Sequence, residues 1–220
     1  QWGTIWLTDG STGNAINHAT IKNATVGVLM ESNDGTANPT LTINNTQIYN
    51  SANVGLLART GNVSAENIVI NNSGQVSLNC SLGGTYNFNH CTFANYTNGI
   101  RQFPSVLIDN NLQISETEVL VADLIEANFT DCIIYGDESI ELILSKVGET
   151  TFNYKFTNCL IQFNDFNNRL DGDPLYDFQN SSLFENIIFN SDPEFKAPRM
   201  NDLIIGDNSA ANGQASIPGS

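Results

Sequence analysis

The residues best suited to chemistry lie in one polar stretch, residues 164–182. This stretch brings four carboxylates and one guanidinium close together in sequence: Asp165, Arg169, Asp171, Asp173 and Asp177. Carboxylate oxygens are the ligands that Ca²⁺ prefers, and a basic group beside them could neutralise an acidic substrate and assist proton abstraction. These five residues are therefore our candidate catalytic residues, and Asp171 and Asp173 are our candidate calcium ligands.

The calcium pattern in this stretch is incomplete. Asp171-Gly172-Asp173 resembles a fragment of a calcium loop, but the full ligand spacing and the distal glutamate are missing. The chain contains 23 acids, so no particular pair of facing carboxylates for glycoside hydrolysis can be chosen from sequence. The alternative interpretation is a solvated acidic surface without a cofactor.

Both histidines fit a structural role. His18 and His90 stand at a recurring position that other copies of a repeat fill with Asn, Asp or Glu. The sequence therefore predicts that they are corner residues rather than acid–base catalysts.

The cysteines fit buried positions. Cys91, Cys132 and Cys159 share one inward position in successive copies, where stacked parallel side chains do not give the dihedral angle of a disulfide. We expect a column of free thiols that pack as small apolar groups. Cys80 is expected opposite Ala58. No Cys-x-x-Cys motif and no histidine spacing suited to zinc occurs.

The charge limits the classes of partner. The formal net charge is -15 with only 8 Lys+Arg, which argues against nucleic acid and anionic membranes. Residues 111–220 hold 18 of the acids.

No apolar run long enough for a membrane span is present, and no leader peptide is visible. The first residues already have the pattern of a repeat interior, so we expect further chain before Gln1 and membership of a larger chain or assembly.

The elements that position these residues come from a unit of strand, corner and strand that repeats seven times. Its reference apolar residues are Ile21, Ile48, Ile70, Phe93, Ile134, Ile161 and Ile188. Five residues earlier stand Ile16, Ile43, Ala65, Phe88, Phe129, Phe156 and Leu183. Such a period is typical of a solenoid, whose coils bury their apolar side by stacking. We expect one domain, with a solenoid over residues 1–190 and an irregular tail over residues 191–220 that covers its end.

Period-two alternation within each copy predicts strands, about three short ones per turn of roughly 22 residues. The predicted fold class is all-β, a parallel β-helix of about seven to nine coils. The corner residues read His18, Asn45, Asn67, His90, Asp131, Asn158 and Glu185, and a second row reads Asn23, Asn50, Asn72, Asn95, Gly136, Phe163 and Asn190. Asparagine tolerates left-handed corners, and stacked asparagines can form hydrogen-bonded ladders.

The longest spacing in the repeat, between Phe93 and Ile134, predicts an excursion over about residues 112–126. Insertions in solenoids project from one face and often carry the binding surface. This excursion and residues 164–182 are therefore the two candidate locations for a catalytic groove.

Residues 17–24 (NHATIKNA), 84–96 (GTYNFNHCTFANY) and 131–136 (DCIIYG) resemble right-handed parallel β-helix proteins of the pectate-lyase-like superfamily. They look most like uncharacterised exported or surface-anchored members from Bacteroidetes-type bacteria. Residues 192–195, 202–205 and 209–213 are similar to the closing segment of that group, with Ala210 where a proline is usual.

The resemblance implies a right-handed coil and a location outside the cytoplasm, secreted or anchored at the outer membrane. The superfamily hosts several chemistries and also proteins without known catalysis, so fold does not decide function. Because no catalytic motif is visible, we expect a non-catalytic module that acts as a scaffold or as a contact surface for glycans or surface proteins. The alternative is a carbohydrate-active enzyme, a polysaccharide lyase or glycoside hydrolase, acting on an acidic or complex polysaccharide.

Overall fold

The computed structural model describes residues 2–216 and is a right-handed parallel β-helix. Its strands are β1 (Ile5–Leu7), β2 (Asn14–Asn17), β3 (Thr20–Lys22), β4 (Val26–Met30), β5 (Leu41–Asn44), β6 (Gln47–Tyr49), β7 (Val54–Glu66), β8 (Val69–Asn71), β9 (Val76–Asn89), β10 (Thr92–Asn95), β11 (Val106–Asp109), β12 (Asn111–Gln113), β13 (Val119–Val121), β14 (Leu124–Thr130), β15 (Ile133–Gly136), β16 (Leu142–Ser145), β17 (Lys155–Thr157), β18 (Leu160–Ile161), β19 (Phe184–Glu185) and β20 (Ile188–Phe189). Short 3-10 helices span Pro174–Tyr176 and Pro198–Met200. Within residues 2–216, no helix is long and apolar enough to cross a membrane.

All strands except β12 and β13 form three stacks along one axis. The first stack is β1, β4, the first halves of β7 and β9, β11 and β16. The middle stack is β2, β5, the second halves of β7 and β9, β14, β17 and β19. The last stack is β3, β6, β8, β10, β15, β18 and β20. One strand of the last stack per turn gives seven coils, which confirms the predicted fold class.

The predicted register is confirmed through six coils and is wrong by one residue in the seventh. Phe93 pairs with Ile70 and Ile134 as expected, but Ile161 pairs with Phe189 rather than Ile188. In the same coil Phe184 replaces Leu183 opposite Phe156. A one-residue shift exchanges the two faces of a strand, and both Leu183-Phe184 and Ile188-Phe189 offer an apolar residue in either register.

The corners are left-handed, as predicted. Positive φ angles occur at His18, Asn45, Asn67, His90, Asp131, Asn158 and Asn186. The seventh corner is thus Asn186 and not Glu185, in agreement with the shifted register. Asn67 Nδ2 donates to Asn45 Oδ1 at 2.8 Å, and Asn186 Nδ2 donates to Asn158 Oδ1 at 3.1 Å. These bonds confirm that stacked asparagines connect successive coils.

The core is a column of aromatic rings beside a column of thiols. The rings of Phe88, Phe129, Phe156 and Phe184 stack with successive centroid separations of 4.9, 4.8 and 5.5 Å. Cys91, Cys132 and Cys159 are buried and free, and Cys80 lies opposite Ala58. The sequence predictions for all four cysteines are therefore confirmed.

Residues 164–182 close one side of the last coil. The Tyr176 hydroxyl accepts a hydrogen bond from Leu144 N at 2.8 Å and donates to Leu144 O at 3.2 Å, occupying backbone groups of β16. Phe178 packs on Phe184 and Phe189 with centroid separations of 4.8 and 4.6 Å. This segment thus buries apolar side chains where the next strand of the first stack would lie.

The tail lies along the side of the solenoid. Asn71 Nδ2 donates to Pro198 O and to Asn201 Oδ1 at 2.7 and 2.9 Å, and Arg199 pairs with Asp137 at 2.7 Å. These contacts reach the third and fifth coils. The ladder of outward side chains on the last stack provides the anchoring groups. Residues 217–220 of the expected tail lie outside the described residues.

The excursion between Phe93 and Ile134 is an antiparallel hairpin of β12 and β13. It ends earlier than predicted, because β14 begins at Leu124 and pairs within the middle stack. A second excursion, residues 97–104, was not anticipated and contains Arg101.

Candidate functional site

Three of the four carboxylates predicted to form a site in residues 164–182 accept hydrogen bonds from backbone amides of their own turns. Asp165 Oδ2 accepts a hydrogen bond from Leu170 N at 2.7 Å, and Asp173 Oδ1 accepts one from Leu175 N at 2.9 Å. Asp177 Oδ1 accepts from Gln179 N at 3.2 Å. Aspartate commonly satisfies nearby backbone amides in this way. The hydrogen bond from Leu170, with the nearby Arg169 charge, lowers the pKa of Asp165.

The two candidate calcium ligands point to different cavities. Asp171 lines a cavity of about 200 Å³ with Asp165 and Phe163, whereas Asp173 lines another with Lys146. Calcium takes about six to eight oxygen ligands. Among residues 2–216, no three or more His, Cys, Asp or Glu side chains are grouped so that they could hold a metal ion.

A different surface has the more regular chemistry. The outward side chains of the middle stack form three rows, which we call the polar face. By strand register, one row is Thr42, Ser64, Asn87, Asn128 and Lys155; the second is Asn44, Glu66, Asn89, Thr130, Thr157 and Glu185; the third is Asn62, Thr85 and Glu126. Side chains alternate along each strand, so its apolar residues point inward and the polar residues of these rows point outward.

The rows of the polar face are joined by hydrogen bonds. Asn128 Nδ2 donates to Asn87 Oδ1 at 3.1 Å, and Asn87 Nδ2 donates to Glu126 Oε1 at 2.7 Å. Lys155 Nζ and Glu185 Oε2 form an ion pair at 2.6 Å. The middle of the face is a shallow groove of about 390 Å³, lined by Ser64, Glu66, Asn87, Asn89, Asn128 and Thr130.

The polar face was not among the predicted sites, although the sequence contains a signal for it. Residues such as Asn87 stand between two inward residues of the predicted register, so their outward direction follows from alternation. These outward residues form rows because equivalent residues of successive coils stack about 4.8 Å apart.

A cleft also lies between the last stack and the tail. This cleft has a volume of about 200 Å³ and is lined by His90, Asp131 and Asn158 on the solenoid and by Ile205 and Gln214 on the tail. His90 Nε2 lies 3.5 Å from Asp131 Oδ2. Both histidines remain at corners, as predicted, and Asp131 anchors the tail by accepting hydrogen bonds from the Ser216 amide and hydroxyl.

Acid should loosen this anchor. Burial raises the pKa of Asp131, but hydrogen bonds from Ser216 and Asn158 outweigh it and hold the pKa below the usual 3.8. The stabilisation is therefore present above pH 3.8 and is lost as pH falls through the lowered pKa of the folded state. We expect the backbone amides of residues 209–216 to exchange faster below the lowered pKa than at neutral pH, after both rates are corrected for intrinsic exchange. Asp131→Asn should show that faster exchange at neutral pH; unchanged exchange in this variant would contradict the anchoring role.

Searches for related proteins gave no match among protein-family models, curated proteins or solved structures.

Proposed function

We propose that this protein is a non-catalytic contact module whose polar face binds an uncharged glycan. The observation that carries the proposal is the run of amide and hydroxyl side chains in register across four consecutive coils, Thr42, Ser64, Asn87 and Asn128. Such groups can donate and accept hydrogen bonds to sugar hydroxyls. A repeated set at one rung per coil suits a repeating polymer better than a single small molecule.

The charge of the polar face favours a neutral ligand. Glu66, Glu126 and Glu185 contribute three carboxylates against the single ammonium of Lys155, which is already paired. Acidic sugars would meet like charge on a protein with a net charge of -15. We therefore infer that uronate polymers bind less well than neutral ones.

We also propose, on the resemblance of residues 17–24, 84–96 and 131–136, that the chain belongs to the pectate-lyase-like superfamily and acts outside the cytoplasm, secreted or at the cell surface. The parallel β-helix supports this proposal because it is the fold that the resemblance implies. The carbohydrate-active alternative would require turnover, which the experiment below also measures.

Binding should depend on the central amides of the polar face. We expect Asn87→Ala combined with Asn128→Ala to weaken binding of a soluble neutral polysaccharide, such as a xylan, by about tenfold or more, because each lost hydrogen bond contributes roughly 1 kcal/mol. Isothermal calorimetry with xylan and with polygalacturonate gives the comparison, and a reducing-end assay on the same mixtures measures cleavage.

The matched control changes two exposed asparagines elsewhere, Asn167→Ala with Asn208→Ala, and should bind as the parent does. Thermal unfolding establishes that both double variants are folded. Equal loss in the two double variants, absence of binding to neutral polymers, or cleavage of either polymer would overturn the proposal.

A further inference from the structure

The hairpin of β12 and β13 exposes apolar side chains that the solenoid does not cover. Ile114, Val119, Leu120 and Val121 have exposed fractions of 49%, 40%, 42% and 38%. We call these four residues the hairpin surface. Single exposed apolar residues are ordinary, but several on one projecting element are typical of an interaction site.

The hairpin also has a free strand edge. Ala122 N donates to Asn110 O at 2.9 Å and Ile114 N donates to Glu118 O at 3.0 Å. In an antiparallel ladder the alternate residues of β13, Val119 and Val121, must then direct their backbone N–H and C=O groups away from β12. Among residues 2–216 the hairpin is a sheet of two strands only, so this edge is open to a further strand.

The hairpin is joined to the solenoid at its base by three hydrogen bonds of Asn110. Asn110 Nδ2 donates to Val147 O at 2.9 Å and to Thr150 Oγ1 at 2.6 Å, and Asn110 Oδ1 accepts from Val147 N at 2.8 Å. A preformed edge reduces the ordering cost of binding.

The charges on the hairpin and next to it in sequence are negative. Glu116 and Glu118 lie at its tip and Asp123 follows its second strand, while no lysine or arginine occurs between Arg101 and Lys146. A second copy of this chain would bring its own Glu116 and Glu118 to the same edge, where like charges oppose pairing. A basic partner would meet complementary charge.

We propose that β13 binds an extended segment of another protein as a third strand, and that this segment alternates apolar residues and is flanked by lysine or arginine. Backbone hydrogen bonds at Val119 and Val121 supply affinity, and the hairpin surface with the acidic tip supplies specificity. This site is separate from the polar face and does not depend on glycan binding.

The test uses the full chain and a short synthetic peptide in which valines alternate with threonines between terminal lysine pairs. A second peptide carries glutamates in place of the lysines. We expect the lysine peptide to bind, the glutamate peptide to bind at least about tenfold more weakly, and the amides of Val119 and Val121 to become protected from exchange on binding.

Two pairs of variants separate the edge from the charge. Val121→Pro removes an N–H from the free edge, where proline is tolerated, and should weaken peptide binding about tenfold; Val121→Thr retains the N–H and should not. Glu116→Lys with Glu118→Lys should reverse the preference between the two peptides, whereas the matched change Asp9→Lys with Asp207→Lys should preserve it. Thermal unfolding checks that each variant is folded.

Several outcomes would overturn the inference. Equal affinity for both peptides would show that charge does not select the partner, and unaltered exchange at Val119 and Val121 would show that no strand is added. A concentration-dependent dimer in sedimentation, lost in Val121→Pro, would assign the edge to a second copy instead.

Discussion

Arg101→Met should lower the free energy of unfolding by about 3–5 kcal/mol, because it leaves a buried carboxylate without its counter-ion. The exposed fractions of the Arg101 and Glu141 side chains are 1% and 0%. Arg101 Nη2 lies 2.6 Å from Glu141 Oε1 and Nη1 lies 2.9 Å from Oε2, a bidentate pair. The guanidinium also donates to the carbonyl oxygens of Asn95 and Phe103. It therefore ties the excursion of residues 97–104 to the solenoid.

The carboxylate makes further contacts that the variant leaves in place. Glu141 Oε2 accepts hydrogen bonds from Ser105 N at 2.6 Å and Ser105 Oγ at 2.8 Å, and Oε1 accepts from Glu138 N at 2.8 Å. Burial raises the pKa of Glu141 above its usual 4.5, although hydrogen bonds and the charge of Arg101 oppose the shift. Without Arg101 the pKa rises further.

A raised folded-state pKa reverses the usual pH dependence of a carboxylate. In the folded state of Arg101→Met the Glu141 carboxyl binds a proton more tightly than in the unfolded state, so the contribution of this carboxyl to stability is greatest below pH 4.5 and falls as pH rises through its raised pKa. Urea unfolding at several pH values should show the difference from the parent shrinking in acid. Adding Glu141→Gln, which removes the charge but keeps an acceptor, should recover much of the loss at neutral pH. A loss below about 1 kcal/mol, or one independent of pH, would contradict this account.

The solenoid and its inward residues could be predicted because alternation and repetition are local signals. Phe88, Phe129 and Phe156 occupy equivalent positions in separate copies, and stacking follows from that equivalence. The predicted register was wrong in the seventh copy because the apolar residues of this copy are adjacent in pairs, Leu183-Phe184 and Ile188-Phe189. Either register then buries an apolar side chain, and the strand pairing of Phe184 and Phe189, with the left-handed φ of Asn186, distinguishes them.

The sites were harder to predict because their chemistry depends on where side chains point. Asp165 and Asp173 form a conspicuous acidic group in sequence, yet each accepts a hydrogen bond from a backbone amide nearby. Sequence alone does not separate a carboxylate that completes its own turn from one that binds a ligand. Arg101 and Glu141 are 40 residues apart, and no periodic signal connects a residue in an irregular excursion with one in a coil.

Phe129→Ala should be the most disruptive single change in the aromatic column, with a loss of about 3–5 kcal/mol. Its ring is fully buried and contacts the rings of Phe88, Phe93 and Phe156 at centroid separations of 4.9, 5.9 and 4.8 Å. Its coil is the fifth of seven, and its ring packs between the rings of the fourth and sixth coils. The cavity left by alanine would therefore weaken the contact on both sides.

The position of Phe129 makes the effect on cooperativity as informative as the effect on stability. In a solenoid, stability is close to a sum of intrinsic terms and nearest-neighbour contacts, so one weakened contact can separate the unfolding of two halves. We expect urea unfolding of Phe129→Ala to show a lower midpoint with a smaller slope or two transitions. The matched control is Phe166→Ala, whose ring is 80% exposed and whose loss should change stability by no more than about 0.5 kcal/mol. If both variants lost similar stability in a single sharp transition, the aromatic column would not be what couples the coils, and the ladders of corner asparagines would have to supply that coupling.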